Sequence, residues 1–512
     1  MASVNEAAQS EEPTRRVPTG SAGLDTILHG GWLHGGTYMV TGAPGTGKTI
    51  LGNQFCFSHV LAGGHAVFVT LLSESHERMM THLRGMRFFR REVIGQSLHY
   101  VSGYATLKAE GLDGLARLLY RAVREHQATV LVVDGLLAAR ESADTELAFR
   151  EFLHALGVHN ALTGCTTLVL THRQEDPADP QFAMVDGVLS LELQPVGLKA
   201  VRALEVMKLR GGPHLTGRHT FEINEHGFSV HPRVEALYHR QPEEAPESGH
   251  RLGFGLPWLD QMLAGGLRER SSTLLLGTPG SGKTLLGLHF LVDGAREQEP
   301  GLYFGFMETR SRLLAKAAAV GLEMQPWVGT DRLVVETRAP VETLPDALVH
   351  ELLGLVERHR VRRLVIDGLE PLLQGTLAPQ RMPGFLTALL NELRARGVTS
   401  LMTQQTHVLF EPRLAPNLEG AEGAVDNLVF LRYVELRSQL YRILSILKMR
   451  ESDYESSLRE FSISTQGIDV ADTFESAESI LTGQARPMDV KKKSPRRKKL
   501  DRRTPVRKRS RA

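Results

Sequence analysis

The chain has only two cysteines in 512 residues, Cys56 and Cys165. That excludes a disulfide-stapled framework and a Cys-rich zinc module, and it fits a chain kept in a reducing cytoplasm. Both thiols sit among apolar neighbours, as small buried core residues do. No run of about 18 apolar residues exists, so no membrane-spanning helix is expected. Residues 1–16 are polar and acidic and lack the apolar stretch of a secretory signal. The chain also lacks a net charge of any size: 60 Lys and Arg stand against 58 Asp and Glu, for +2. That balance hides a segregation. Residues 491–512 hold 13 Lys and Arg and one acid, Asp501, or +12, and the remaining 490 residues carry −10. With 42% apolar and 23% charged residues the body reads as globular, with length for several domains.

What is present is a repeat. Residues 19–55 read TGSAGLDTILHGGWLHGGTYMVTGAPGTGKTILGNQF, and residues 254–290 read FGLPWLDQMLAGGLRERSSTLLLGTPGSGKTLLGLHF. Leu24 and Asp25 meet Leu259 and Asp260, an offset of 235, and Lys48 and Thr49 meet Lys283 and Thr284. Further on, TVLVVDG answers RRLVIDG and MKLRG answers LKMRE. A solenoid repeats every 20–50 residues, so this longer period makes each copy a whole domain. The organisation read from this is a disordered N-terminus at 1–16, a first domain at 17–238, a Pro/Glu/Ser-rich linker at 239–251, a second domain at 252–486 and a disordered basic tail at 487–512. In the first copy, the runs at 37–42, 65–72, 129–135 and 165–172 suit strands buried on both faces, with helical patterns such as 113–127 between them. The fold class is α/β: two tandem P-loop domains around largely parallel central sheets.

GAPGTGKT at 42–49 and GTPGSGKT at 277–284 match the full G-x-x-x-x-G-K-[ST] pattern between a strand and a helix. Gly42, Gly45 and Gly47, with Gly277, Gly280 and Gly282, let backbone N–H groups turn towards a polyphosphate, joined by Thr46 and Ser281. The helix N-terminus adds partial positive charge. Lys48 and Lys283 reach the β- and γ-phosphates of ATP, and Thr49 and Thr284 ligate Mg²⁺. Asp134 and Asp367 each end an apolar strand and complete the Mg²⁺ shell. A turn-forming Asp-Gly would explain either alone, but not the recurrence. A carboxylate must align the attacking water. The candidates are Glu74 in the first copy, with Glu77 competing, and Glu308 in the second. Lys208 with Arg210, and Lys448 with Arg450, form Lys-x-Arg pairs whose alternation puts both on one side of a strand. They stand far along the chain from their own P-loop, where such a pair can serve a neighbour's nucleotide as an arginine finger does.

The doubled P-loop, the LDxxLxGG lead-in, FVTLLSES and the K-x-R-G pair resemble the KaiC family, two-domain RecA-like ATPases of the circadian clock group. The similarity covers roughly residues 17–480. It implies two RecA-like domains stacked as two rings, a hexamer with ATP between subunits, slow hydrolysis, and, in clock members, autophosphorylation in the second half. Two departures stand out. Clock members carry adjacent glutamates where this chain has Ser73 and Glu74, and Met307 and Glu308. They also place a Ser–Thr acceptor pair shortly before LLQYVE. Here LRYVE at 431–435 follows EGAEGAVDNLVF, and Glu422 and Gly423 take the pair's place. No hydroxyl remains there, and Glu422 is an imperfect mimic of a phosphoryl group.

The expected function is therefore an oligomeric ATPase that uses its nucleotide state for signalling or partner docking, with weak or no clock-type autophosphorylation. A Ser/Thr autokinase using Ser438, Ser445 or Ser452 is the enzymatic rival. A RecA-like DNA-directed ATPase is another, set against the acidic body and the absent four-Cys zinc segment. A third, nonenzymatic, is an ATP-bound scaffold. For the tail, three readings stay open: a solvated appendage, a nucleic-acid arm held by phosphate contacts, or a tether to an acidic protein or to the chain's own acidic body. Without interleaved aromatics, base stacking on it is not supported.

Overall fold

The computed structural model describes residues 15–72, 76–172, 180–197, 199–239, 249–339, 341, 344–373, 378–406, 423–436, 439–450 and 453–470. The basic tail and most of the expected linker lie outside these residues. Within the first repeat the apolar runs form the middle of a nine-stranded sheet. Its order from one edge is Leu98–Ser102, Ala66–Thr70, Val130–Asp134, Thr166–Thr171, Thr37–Gly42, Gly187–Val196, Lys199–Leu209, Arg218–Asn224 and Gly227–His231. The first six strands run parallel and the last three return antiparallel. The second repeat builds the same order from Leu333–Thr337, Gly301–Gly305, Arg363–Asp367, Thr399–Gln405, Ser272–Gly277, Asn427–Leu436, Gln439–Met449, Arg459–Ser464 and Gly467–Val470. These are the tandem α/β units with largely parallel sheets expected from the sequence.

Every residue of Thr37–Gly42, Ala66–Thr70, Val130–Asp134 and Thr166–Thr171 is buried. Both faces are covered, which is why these strands read as unbroken apolar runs rather than alternating ones. On one face Leu51, Phe55 and Cys56 of the helix Lys48–Leu61 pack with Tyr38, Phe68 and Val132. On the other, Leu115, Leu119 and Phe152 pack with Val67, Val133 and Cys165. The helix expected at 113–127 is longer, spanning Tyr104–Glu125, with a break at Gly111, where φ is 63°. Arg16 enters a short strand, Arg16–Val17, paired with Trp32–Leu33.

The first sheet ends at His231, but the chain that follows belongs physically to the next repeat. The one-turn helix Val234–Leu237 buries Val234 in the second repeat's core beside Phe385 and Leu389. Val234 N donates to Asp346 Oδ1 at 3.0 Å. Arg381 grips two carboxylates at once. Its Nη1 and Nη2 donate to Asp346 at 2.8 and 2.6 Å, and its Nε and Nη2 donate to Glu235 at 2.9 and 2.6 Å. Asp346 is 0% exposed, and these donors replace the water it has lost.

Candidate functional site

Both P-loops leave the C-terminal end of a central parallel strand, where ligands of open α/β sheets bind. Gly47 and Gly282 precede the helices Lys48–Leu61 and Lys283–Arg296 with φ of 104° and 106°. A Cβ at Gly47 would lie 2.4 Å from Ile223 Cδ1, a side-chain tip that can shift, so it is the left-handed backbone angle that demands glycine. Lys48 Nζ donates to the Gly42 and Ala43 carbonyls at 2.7 and 2.9 Å, and Lys283 Nζ to those of Gly277 and Thr278 at the same distances. Burial pushes both ammonium pKa values down, opposed by the charge of the nearby Asp134 or Asp367. A polyanion at the loop would reverse that cost.

The threonine and aspartate of each site meet. Thr49 Oγ1 donates to Asp134 Oδ2 at 2.8 Å, and Thr284 Oγ1 to Asp367 Oδ2 at 2.9 Å. These two hard oxygens at the helix N-terminus suit Mg²⁺, which takes few protein ligands and completes its shell with substrate phosphates and water. No cluster of three His, Cys, Asp or Glu able to hold a metal is found among the described residues.

The candidate water-aligning carboxylates fare differently. Glu74 lies outside the described residues. Glu77 is exposed in the first turn of the helix His76–Leu83. Glu308 is ion-paired with Lys316, one helix further on. It lies close enough to the Tyr303 phenol for its charge, after burial and Asp367, to help push that phenol's pKa up.

The second site holds three functional groups that motif reading missed. Tyr303 Oη donates to Asp367 Oδ2, and Thr403 Oγ1 to Asp367 Oδ1, both at 2.7 Å. Glu370 Oε1 accepts from Gln405 N at 2.7 Å, and Gln405 pairs with Gly277 at the root of the P-loop. Glu370 also raises the pKa of Lys283 against burial. The signal was there in the comparison of copies. Where the second has Tyr303, Glu370 and Thr403, the first has Phe68, Leu137 and Leu170 by strand register and by spacing from Asp134.

The Lys-x-Arg pairs sit at the other end of the sheet. Lys208 Nζ donates to the Phe182 and Val185 carbonyls at 2.7 Å each, and Arg210 Nη2 to that of Ala183 at 2.9 Å. In the second repeat Lys448 Nζ donates to Val425 O at 2.7 Å and Arg450 Nη2 to Gly423 O at 2.6 Å. Arg210 N donates to Asp186 O, and the Asp186 carboxylate accepts from Thr37 N, at the first residue of the central strand. The P-loop leaves that strand at Gly42. Five residues of strand, roughly 17 Å, separate the two ends. Each pair therefore faces away from its own P-loop.

Ser445, one candidate phosphate acceptor, is buried at 9% exposure within the strand Gln439–Met449. Glu422, Ser438 and Ser452 lie outside the described residues. No helix among the described residues is long and apolar enough to cross a membrane.

The family model for the KaiC ATPase matches residues 17–235 and again 252–475. "Circadian clock oscillator protein KaiC 1" of Synechocystis sp. is 25% identical over 512 residues, covering 96% of each chain. "Circadian clock oscillator protein KaiC" of Thermosynechococcus vestitus is 26% identical, covering 95% of each. Its namesake in Synechococcus elongatus is 25% identical, covering 92% of each.

Proposed function

The chain belongs to the KaiC family of ATPases, and we propose that it hydrolyses ATP with Mg²⁺ between the subunits of a hexameric ring and uses the nucleotide state of that ring for signalling or docking. The observation that carries this is the placement of P-loop and Lys-x-Arg pair at opposite ends of the same sheet, in both repeats. A head-to-tail interface joins one end to the other, and such interfaces form rings when the rotation between subunits closes.

In this reading Lys48 and Lys283 release their loop carbonyls to bind the β- and γ-phosphates, and the loop N–H groups hold the remaining oxygens. Thr49 with Asp134, and Thr284 with Asp367, would hold Mg²⁺, which when bound neutralises charge on the β- and γ-oxygens. Glu74 in the first repeat and Glu308 in the second orient the attacking water. Lys208 and Arg210 of one subunit, or Lys448 and Arg450, stabilise charge that spreads over the γ-phosphoryl oxygens of its neighbour. The first repeat is the main hydrolytic site. Glu308 must break its ion pair with Lys316 before it can orient water, and Asp367 is already held by three hydroxyl donors.

Autophosphorylation of the clock type is not part of this function. The burial of Ser445 supports its exclusion as an acceptor. Incubation with γ-labelled ATP and Mg²⁺ tests the point: phosphate is expected in solution and less than a tenth of a label per chain. Stoichiometric label on the protein would replace this reading with an autokinase.

A further inference from the structure

The second repeat serves as an internal control for a corner of the first. At the N-terminal ends of the strands three backbone hydrogen bonds recur position for position. His34 N bonds Arg15 O as Glu269 N bonds His250 O, Gly64 N bonds His59 O as Glu299 N bonds Gly294 O, and Thr129 N bonds His65 O as Arg362 N bonds Pro300 O. The backbone is the same, but the charges are not. In the second repeat the corner is neutralised from within. Arg363, 2% exposed, meets Glu299 at 2.6 Å and Asp293 at 3.1 Å, and Arg362 lies 3.9 Å from Glu269.

In the first repeat the same corner opens into a cavity of about 430 Å³ lined by Arg15, Arg16, His34, His59, His65 and Thr129, with no carboxylate among the described residues that line it. Arg16 Nη1 is committed to the Leu28 and Gly31 carbonyls at 2.7 and 3.0 Å, while Arg15 is exposed. His59 Nε2 lies 2.7 Å from Thr129 Oγ1. Burial pushes the His59 pKa down, and Arg15, His34 and His65 push it further. Burial and then Arg15 do the same to His34. The C-terminal end of the helix Lys48–Leu61 offers the corner about half a negative charge, which offsets a fraction of one guanidinium and not two. The cavity stands 11 residues along that helix from the P-loop lysine, or roughly 16 Å.

We propose that this corner binds a phosphate-class anion, inorganic phosphate or the phosphate group of a nucleotide, at a site separate from either P-loop. Guanidinium and imidazolium donors converging on a roomy cavity match an anion with several acceptor oxygens. In the other repeat Glu269, Asp293 and Glu299 pair with Arg362 and Arg363, whose positions here hold Thr129 and Val130, so in this corner the anion would answer Arg15 and the histidines instead. Binding raises the pKa values of His34 and His59, so the protein takes up protons, and affinity for an anion of fixed charge such as sulfate grows as pH falls.

The test is calorimetric titration of the full-length Lys48→Ala/Lys283→Ala chain, whose P-loops are disabled, with inorganic phosphate and with ADP. One site in the first repeat is expected, and titration with sulfate, whose charge is constant over this range, should show affinity about tenfold higher at pH 6 than at pH 8. His34→Glu copies the second repeat and should weaken binding at least tenfold. The exposed Arg15→Ala, which leaves the core untouched, should weaken it severalfold. Binding of both inorganic phosphate and ADP assigns the site to the phosphate group, and binding of ADP alone assigns it to a nucleotide. No binding at pH 6, or binding unchanged by both variants, would overturn the proposal.

Discussion

Asp134 and Asp367 end equivalent strands and accept from equivalent threonines at 2.8 and 2.9 Å, yet the two sites are furnished differently. Around Asp367 the second repeat adds the hydroxyls of Tyr303 and Thr403, at positions where the first has Phe68 and Leu170. It sets Glu370 near the P-loop lysine and pairs Glu308 with Lys316. It also straps the P-loop itself: Tyr433 Oη donates to Gly280 O at 2.7 Å, with the Arg442 guanidinium 5.3 Å from the Tyr433 ring. Leu193 takes the Tyr433 position in the first repeat. Hydrogen bonds to a charged group contribute about 1.5–3 kcal/mol each, so any change at Asp367 during turnover must also reorganise the Tyr303 and Thr403 hydroxyls. In the proposed reading the first site is the one that turns over and the second the one that holds.

The largest expected break of that comparison comes from the P-loop lysines. Lys48→Ala should remove at least nine-tenths of steady-state phosphate release, and Lys283→Ala less than half. Equal losses would erase the difference between the repeats. The joint between them comes next. Arg381→Ala leaves Asp346 buried without its main counter-charge and should cost about 3–5 kcal/mol in denaturant unfolding. It should also split one transition into two, whereas a single unchanged transition would mean the joint carries little. Smallest is a conversion. Tyr303→Phe with Thr403→Leu gives Asp367 the first repeat's apolar neighbours. In a Lys48→Ala background it should raise residual turnover severalfold, and a fall would mean that the hydroxyls serve catalysis.

The repeat, the P-loops and the strand-ending aspartates were legible because each is local: glycine geometry and an apolar run are written in consecutive residues. Their partners were less so. Tyr303, Thr403 and Glu370 sit on or beside strands whose neighbours are fixed by crossovers, and they are visible only where the copies disagree. A motif search looks where copies agree. The Lys-x-Arg pairs were legible as residues, but their place opposite the P-loop depends on the antiparallel return of Lys199–Leu209 along Gly187–Val196. The end of the first repeat reads as part of its own copy, while burial of Val234 ties it to the next.

The central claim is that each nucleotide is served by two subunits, and a mixing experiment tests it most directly. One chain carries Lys48→Ala and Lys283→Ala, and the other carries Arg210→Ala and Arg450→Ala. Each alone should be nearly inactive. Co-assembled in equal amounts, about a quarter of the head-to-tail interfaces join an intact P-loop to an intact arginine, and ATP hydrolysis should return to about that share of the unaltered protein. Mixtures no more active than the sum of the two separate chains would contradict the account.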